Sequence, residues 1–180
     1  MYQLEQEVDT SLDGTRLQGP EIVSTGTDVT LVSFGEGVLE TILAADELND
    51  LGLSCEIIDL RVLSPTDLTI VIESVIKTGR LVVVDPYSRN SGIGEHIISI
   101  VSQLGSSALI SPPKLLAPPF IPVPTATSLT EAYYATVRSQ NIALQIAKMF
   151  ELDYEVRRET FEELHLPPKL KLGANWKILR

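Results

Sequence analysis

A chain of 180 residues with 44% apolar and 21% charged side chains fits one soluble globular domain with ordered extensions, and can bury a single core. Its net charge of −10 repels polyanions, which speaks against nucleic acid and against an anionic membrane as partners. No apolar run reaches the roughly 20 residues that span a bilayer; the start MYQLEQEVDT lacks the basic-then-apolar order of a secretory signal, and the single cysteine, Cys55, excludes an internal disulfide, so a cytoplasmic address is expected.

Residues 1–20 are polar, carry Glu5, Glu7, Asp9 and Asp13, and end on the turn signal Gly19-Pro20; they read as a linker or N-terminal arm. Residues 22–24 are a candidate edge strand. Residues 29–33, VTLVS, form a short β-branched apolar run of the kind expected in a strand covered on both faces. Val38, Leu39, Ile42, Leu43 and Leu48 then recur at helical spacing until Gly52. A second strand is predicted over 54–60. A second helix is predicted to start at Ser64-Pro65-Thr66-Asp67 and to stop at Gly79. A third strand over 81–85, a helix over 93–104, a weaker strand over 114–117 and a last helix over 137–150 complete the series, with a proline-dense extended connection from Pro112 to Pro124. Residues 151–180 break this rhythm and read as a C-terminal extension or docking arm, with Tyr154, Phe161 and Leu164 on a mixed-charge helical pattern and Trp176 as its best apolar anchor. Strands alternating with helices predict βαβ units and a mostly parallel sheet with helices on both sides.

The segment Phe34-Gly35-Glu36-Gly37, after the first strong strand, opens like a dinucleotide-binding turn. That fingerprint needs a third glycine for close approach of helix and sheet, and Glu40 stands there. Glu36 suits a helix start electrostatically and would repel a pyrophosphate. A tight strand-to-helix turn is therefore the favoured reading. The second glycine-rich stretch, Ser91-Gly92-Ile93-Gly94-Glu95-His96, has backbone amides at a helix start that could hold an anion, and is equally accounted for by capping plus a solvent-facing Glu95 and His96.

Other chemistry is sparse. Cys55 sits among apolar strand residues with no basic neighbour in sequence, as expected of a small buried hydrophobe rather than a nucleophile. His96 and His165 lie far apart and neither opens a metal-ligand pair. Asp59 and Arg61 flank Leu60 at a strand end, either as a structural ion pair with neighbours or in contact with another chain.

The run Ile58-Asp59-Leu60-Arg61-Val62-Leu63-Ser64-Pro65-Thr66-Asp67, followed by Ser74-Val75-Ile76-Lys77-Thr78-Gly79-Arg80, resembles the C-terminal domain of the transketolase superfamily. It is most similar to the β subunit of the thiamine-dependent E1 component of 2-oxo acid dehydrogenase complexes. GTDVTLVSFG at 26–35, SGIGEHI at 91–97 and SLTEAYYAT at 128–136 resemble that domain's first strand and turn, its glycine-rich helix start and the segment before its final helix. The likeness covers about residues 20–150. It departs at Ala117-Pro118-Pro119, where the family commonly has Asp-Thr-Pro, and keeps only loosely, as Asp85-Pro86, the carboxylate usual after the third strand.

The resemblance implies a three-layer αβα sandwich on a mixed, mostly parallel sheet of about five strands. It also implies that the turn at Gly35 binds no nucleotide, because thiamine diphosphate and Mg²⁺ sit between pyrimidine-binding and pyrophosphate-binding domains whose sequence is not in this chain. No catalytic, cofactor-binding or metal-binding residue carries over. The expected role is structural, within a homo- or hetero-oligomer of a thiamine-dependent enzyme that includes those domains or subunits. Asp59, Arg61, Glu95, His96 and Trp176 are the interface candidates. The Met1 start and the additional C-terminal segment fit a separately encoded subunit; an excised domain is the other possibility. The alternative function is a stand-alone small-ligand binder using the Gly92–His96 loop.

Overall fold

A computed structural model describes residues 4–6, 19–104, 107–155 and 176–178, the first and last of these as backbone. The elements in chain order are β1 (Leu4–Gln6), β2 (Glu21–Ser24), β3 (Val29–Ser33), α1 (Glu36–Asn49), β4 (Cys55–Asp59), α2 (Thr69–Thr78), β5 (Leu81–Val84), α3 (Ile93–Leu104), β6 (Lys114–Leu116), α4 (Thr127–Tyr134), a 3-10 turn (Ala135–Val137), α5 (Ser139–Met149) and β7 (Trp176–Ile178). Residues Gly19–Val156 form one compact unit and the two termini another. In the terminal unit β1 and β7 pair antiparallel, Leu4 opposite Ile178 and Gln6 opposite Trp176.

The main unit holds a five-stranded sheet in the order β2-β4-β3-β5-β6. β3, β4, β5 and β6 run parallel, and β2 joins β4 antiparallel as an edge with a bulge between Ile22 and Ser24. This is the expected αβα sandwich. Side chains alternate across each strand, so the strands divide their apolar residues between two cores. Leu31, Ile57, Val82 and Val84 pack with Ala44 and Leu48 of α1 and Ile142, Ala143, Ile146 and Ala147 of α5. Val32, Ile58, Leu81 and Val83 pack with Val71 and Val75 of α2 and Ile97 and Val101 of α3. A strand buried on both faces cannot show period-two polarity, which is why LVVV is a continuous apolar run and VTLVS a nearly continuous one.

The path of the chain sets the position of the site. From β3 it moves out to β4 through α1 on one face, then crosses back to β5 through α2 on the other and continues to β6 through α3. The connections after β3 and β5 thus leave on opposite faces, and these two neighbours form the switch point where open α/β sheets commonly bind ligands. Gly79 ends α2 in the left-handed conformation (φ 70°), as its place after the helical run predicts. α2 itself begins at Thr69 rather than at Ser64-Pro65, because Asp67 Oδ1 accepts the Thr69 amide at 2.9 Å and so fixes the entry. Tyr154 packs against the α1/α5 core and donates its hydroxyl to Glu47 Oε2. The sequence-expected anchors Phe161 and Leu164, and His165, lie outside the described residues.

Candidate functional site

At the switch point the two glycines of Phe34-Gly35-Glu36-Gly37 make room for the chain's own side chains. Gly35 (φ 57°) turns the chain into α1, and a Cβ there would meet Tyr87 Oη at 3.2 Å. A Cβ on Gly37 would stand 2.3 Å from Ser33 Oγ and 3.4 Å from Pro86. Ser33 Oγ donates to the Val84 carbonyl at 2.8 Å, tying β3 to β5 at the crevice, and the Phe34 and Tyr87 rings pack with centroids 5.8 Å apart. Glu40, where a dinucleotide site would have its third glycine, accepts from Arg138 Nη1 at 2.7 Å and from the Ser139 amide at 2.8 Å. It holds the start of α5 against α1, a favourable place for a carboxylate.

The second glycine-rich stretch closes on an internal anion. Asp85 is 1% exposed. Its Oδ1 accepts the Tyr87 and Ser88 amides at 2.9 and 3.0 Å, and its Oδ2 accepts the Gly94 amide at 3.2 Å. A Cβ on Gly92 would fall 2.6 Å from Asp85 Oδ2 and 2.5 Å from the Ser88 carbonyl oxygen, so this glycine admits the loop's own backbone. The Asp85 carboxylate thus takes the helix-start amide that a bound phosphate would need. With Glu36 at one helix start and Asp85 at the other, the crevice does not fit a pyrophosphate. Among the described residues no three metal-ligating side chains converge.

Of the sequence-nominated residues, Asp59, Arg61, Glu95 and His96 lie at the carboxyl end of the main sheet without forming one cluster. Asp59 ends β4 and its Oδ1 accepts the Arg61 amide at 3.1 Å, while the Arg61 guanidinium pairs with Glu21 of β2. Arg61 thus makes a structural ion pair with a neighbour, which links β4's end to the edge strand, while Asp59 closes a backbone turn. Burial pushes the Asp59 carboxyl above its ordinary range, and the Arg61 amide opposes this in part. Glu95 and His96 lie on the first turn of α3, beyond β5 and so across β3 from Asp59; both are exposed, and Glu95 Oε2 accepts the Ser91 amide at 2.9 Å. The side chain of Trp176 lies outside the described residues. Cys55 is buried, and burial, with the nearby Asp28 charge, pushes its thiol up to about 12, which removes it as a nucleophile at neutral pH.

Sequence reasoning passed over three features. Glu56, 1% exposed in β4, accepts from the Gly26 amide at 3.3 Å and from Lys77 Nζ. Burial acts to raise its pKa, but hydrogen bonds from Lys77, Ser74 and the Gly26 amide outweigh this and hold the carboxyl below its usual range. Beside it Thr30 Oγ1 bonds Ser74 Oγ and Thr78 Oγ1, each at 2.7 Å. The second feature is the hold of Asp85, read from the sequence only as a loosely kept family carboxylate, on the Tyr87, Ser88 and Gly94 amides. The third is the segment after β6, where Phe120, Ile121, Val123 and Leu129 are exposed. A charge-free run from Leu115 to Thr130 is the sequence signal that marks it.

Fold and crevice together define a three-layer α/β domain whose switch point is filled by its own residues. Residues 20–139 match the family described as the transketolase C-terminal domain, and the chain belongs to that family. The β subunit of acetoin:2,6-dichlorophenolindophenol oxidoreductase from Cupriavidus necator is 39% identical over 133 residues, 74% of this chain and 39% of that protein. The β subunit of the pyruvate dehydrogenase E1 component from Rhizobium meliloti is 47% identical over 105 residues, 58% of this chain and 23% of that protein. This chain therefore spans well under half the length of these relatives. A solved structure described as "Split gene transketolase, inactive beta4 tetramer" superposes with a TM-score of 0.63 at 22% identity, covering 75% of this chain and 43% of that one; it bears on the fold alone.

Proposed function

We propose that this chain is an assembly domain of a thiamine diphosphate-dependent enzyme of the 2-oxo acid dehydrogenase E1 β or transketolase type, and does no chemistry by itself. The observation that carries this reading is the crevice, where Asp85 takes the Gly94 amide and the chain's own Pro86 and Tyr87 stand beside Gly37 and Gly35. The E1 β relatives support it. In this reading thiamine diphosphate and Mg²⁺ belong to pyrimidine-binding and pyrophosphate-binding domains of the parent assembly, a cytoplasmic homo- or hetero-oligomer. Asp59, Arg61, Glu95, His96 and Trp176, with residues 151–180 as a docking arm, remain its proposed contact points. The acyl or sugar substrate is a property of the whole assembly.

The test is purification of the tagged chain from cells that naturally make it, followed by assay of bound thiamine diphosphate and of 2-oxo acid decarboxylation. Activity and cofactor should follow the thiamine-type domains that come with it and be lost when those are removed. Decarboxylation by the isolated chain would refute the reading.

A further inference from the structure

The surface beyond the carboxyl ends of β5 and β6 differs in chemistry from the rest of this acidic molecule. From Leu115 to Thr130 there is no charged residue, in a chain with 21% charged side chains. Ala117 and Pro118 are buried; Pro119, Phe120, Ile121, Pro122 and Val123 then turn to solvent. Phe120 is 71% exposed and Ile121 58%, with Leu129 of α4 and Tyr87 from the end of β5 also exposed. The backbone beneath them is held. The Ala117 carbonyl accepts from Thr136 Oγ1 at 3.0 Å, Thr130 Oγ1 donates to the Pro124 carbonyl at 2.7 Å, and the Ile121 amide donates to the Pro119 carbonyl at 2.9 Å. Four prolines, at 118, 119, 122 and 124, fix φ along the run. A rigid apolar ridge loses little conformational freedom on docking, and depletion of charge with an exposed aromatic is the composition of an interface core.

We infer that this ridge is the face on which the cofactor-binding part of the assembly docks, a deduction that rests on the assembly role proposed above. The relatives carry most of their length outside the region matched here, and in the assembly reading a counterpart of that length packs on this domain. Both sheet faces are already covered by α1 and α5 or α2 and α3. The β2 edge is bulged and carries the Glu21–Arg61 ion pair, two features that discourage strand addition. A second copy of the chain would bring another net charge of −10 to the contact, which disfavours self-association as the occupant.

The test places the photo-crosslinker p-benzoylphenylalanine at position 120 of the full chain, in the cells that naturally make it, and sequences the adducts by mass spectrometry. Adducts should map to a sequence with the cofactor-binding domains of the E1 or transketolase type, and the same label at Ile76, exposed on α2, should not give them. Adducts to a second copy alone, or equal yields from position 76, would overturn the inference. If the tagged chain recovers thiamine-type domains but position 120 never reaches them, the ridge is wrong and the assembly reading stands. If no thiamine-type sequence is recovered by any route, the assembly reading falls and takes the ridge with it. As a second readout, Phe120→Asp with Val123→Asp should cut partner recovery about tenfold or more with an unchanged circular dichroism spectrum; undiminished recovery would also overturn the inference.

Discussion

At the amino ends of the strands, Glu56 is buried against α2 and satisfied by Gly26 and Lys77, with the hydroxyls of Thr30, Ser74 and Thr78 bonded alongside. At the carboxyl ends, Asp85 is equally buried and satisfied, but its partners are two loop amides and the amide of Gly94 at the start of α3, and the loops it fixes border an exposed apolar ridge. Both ends use an internal carboxylate to satisfy buried donors, because a buried donor left unpaired is costly. They differ in what they leave to solvent. The amino-end network joins a helix to two strands, whereas the carboxyl-end network fixes the loops that border the ridge.

Substitutions at the two ends should separate these roles. The largest loss of stability is expected from Asp85→Ala, which strands three amide donors, the buried Gly94 among them. A cost of about 3 kcal/mol is expected, lowering the melting temperature by roughly 6–12 °C in thermal unfolding followed by circular dichroism. Glu56→Ala should cost about 2 kcal/mol, read as a lower urea midpoint at constant slope. Lys77→Ala should cost less than about 1 kcal/mol, since its side chain is 46% exposed and regains water. If Lys77→Ala costs as much as Glu56→Ala, the pair is tighter than this comparison holds.

The two displaced carboxyls also predict opposite pH dependences. The folded pKa of Glu56 lies below its ordinary value of 4.5, so its stabilisation is full above that value and fades as pH falls below it. The folded pKa of Asp59 lies above its ordinary 3.8, so its contribution is present below that value and is lost as pH rises through the folded pKa. Asp59→Asn should therefore raise the melting temperature slightly at pH 7 and leave it unchanged near pH 3. A lower melting temperature at pH 7 would mean that the charged form makes a contact beyond the Arg61 amide. The smallest effect on stability is expected at the ridge, where Phe120→Asp with Val123→Asp should stay within about 0.5 kcal/mol of the parent in urea unfolding.

The sheet and four of its helices could be read from the sequence because each rests on a local signal. β3 and β5 are nearly continuous apolar runs, β4 holds Ile57 and Ile58 between Glu56 and Asp59, and α1, α2 and α3 show helical spacing, with α1 and α2 stopping before Gly52 and Gly79, which the structure places in turns. α4 escaped notice because, apart from Leu129, its apolar residues are the consecutive Ala132, Tyr133 and Tyr134 rather than a helical spacing, and its N-cap, Ala126, makes no side-chain hydrogen bond. The β1–β7 pair joins three residues at each end of the chain, a non-local contact that periodicity does not reveal. At the site, the missing third glycine was legible, but Glu40's hold on α5 was not, because Arg138 and Ser139 lie about a hundred residues further on. The closure of the Gly92 loop on Asp85 likewise requires β5 and α3 to be packed first. The ridge was legible only as a proline-rich connection, since exposure of Phe120 and Ile121 depends on which neighbours the fold denies them.

The measurement that bears most directly on the central claim is isothermal titration calorimetry of the whole chain with thiamine diphosphate in the presence of Mg²⁺. A domain whose crevice is closed by Asp85, Pro86 and Tyr87 and whose role is docking should show no saturable heat at millimolar cofactor. Stoichiometric binding in the micromolar range would place a cofactor site in this chain and contradict the account.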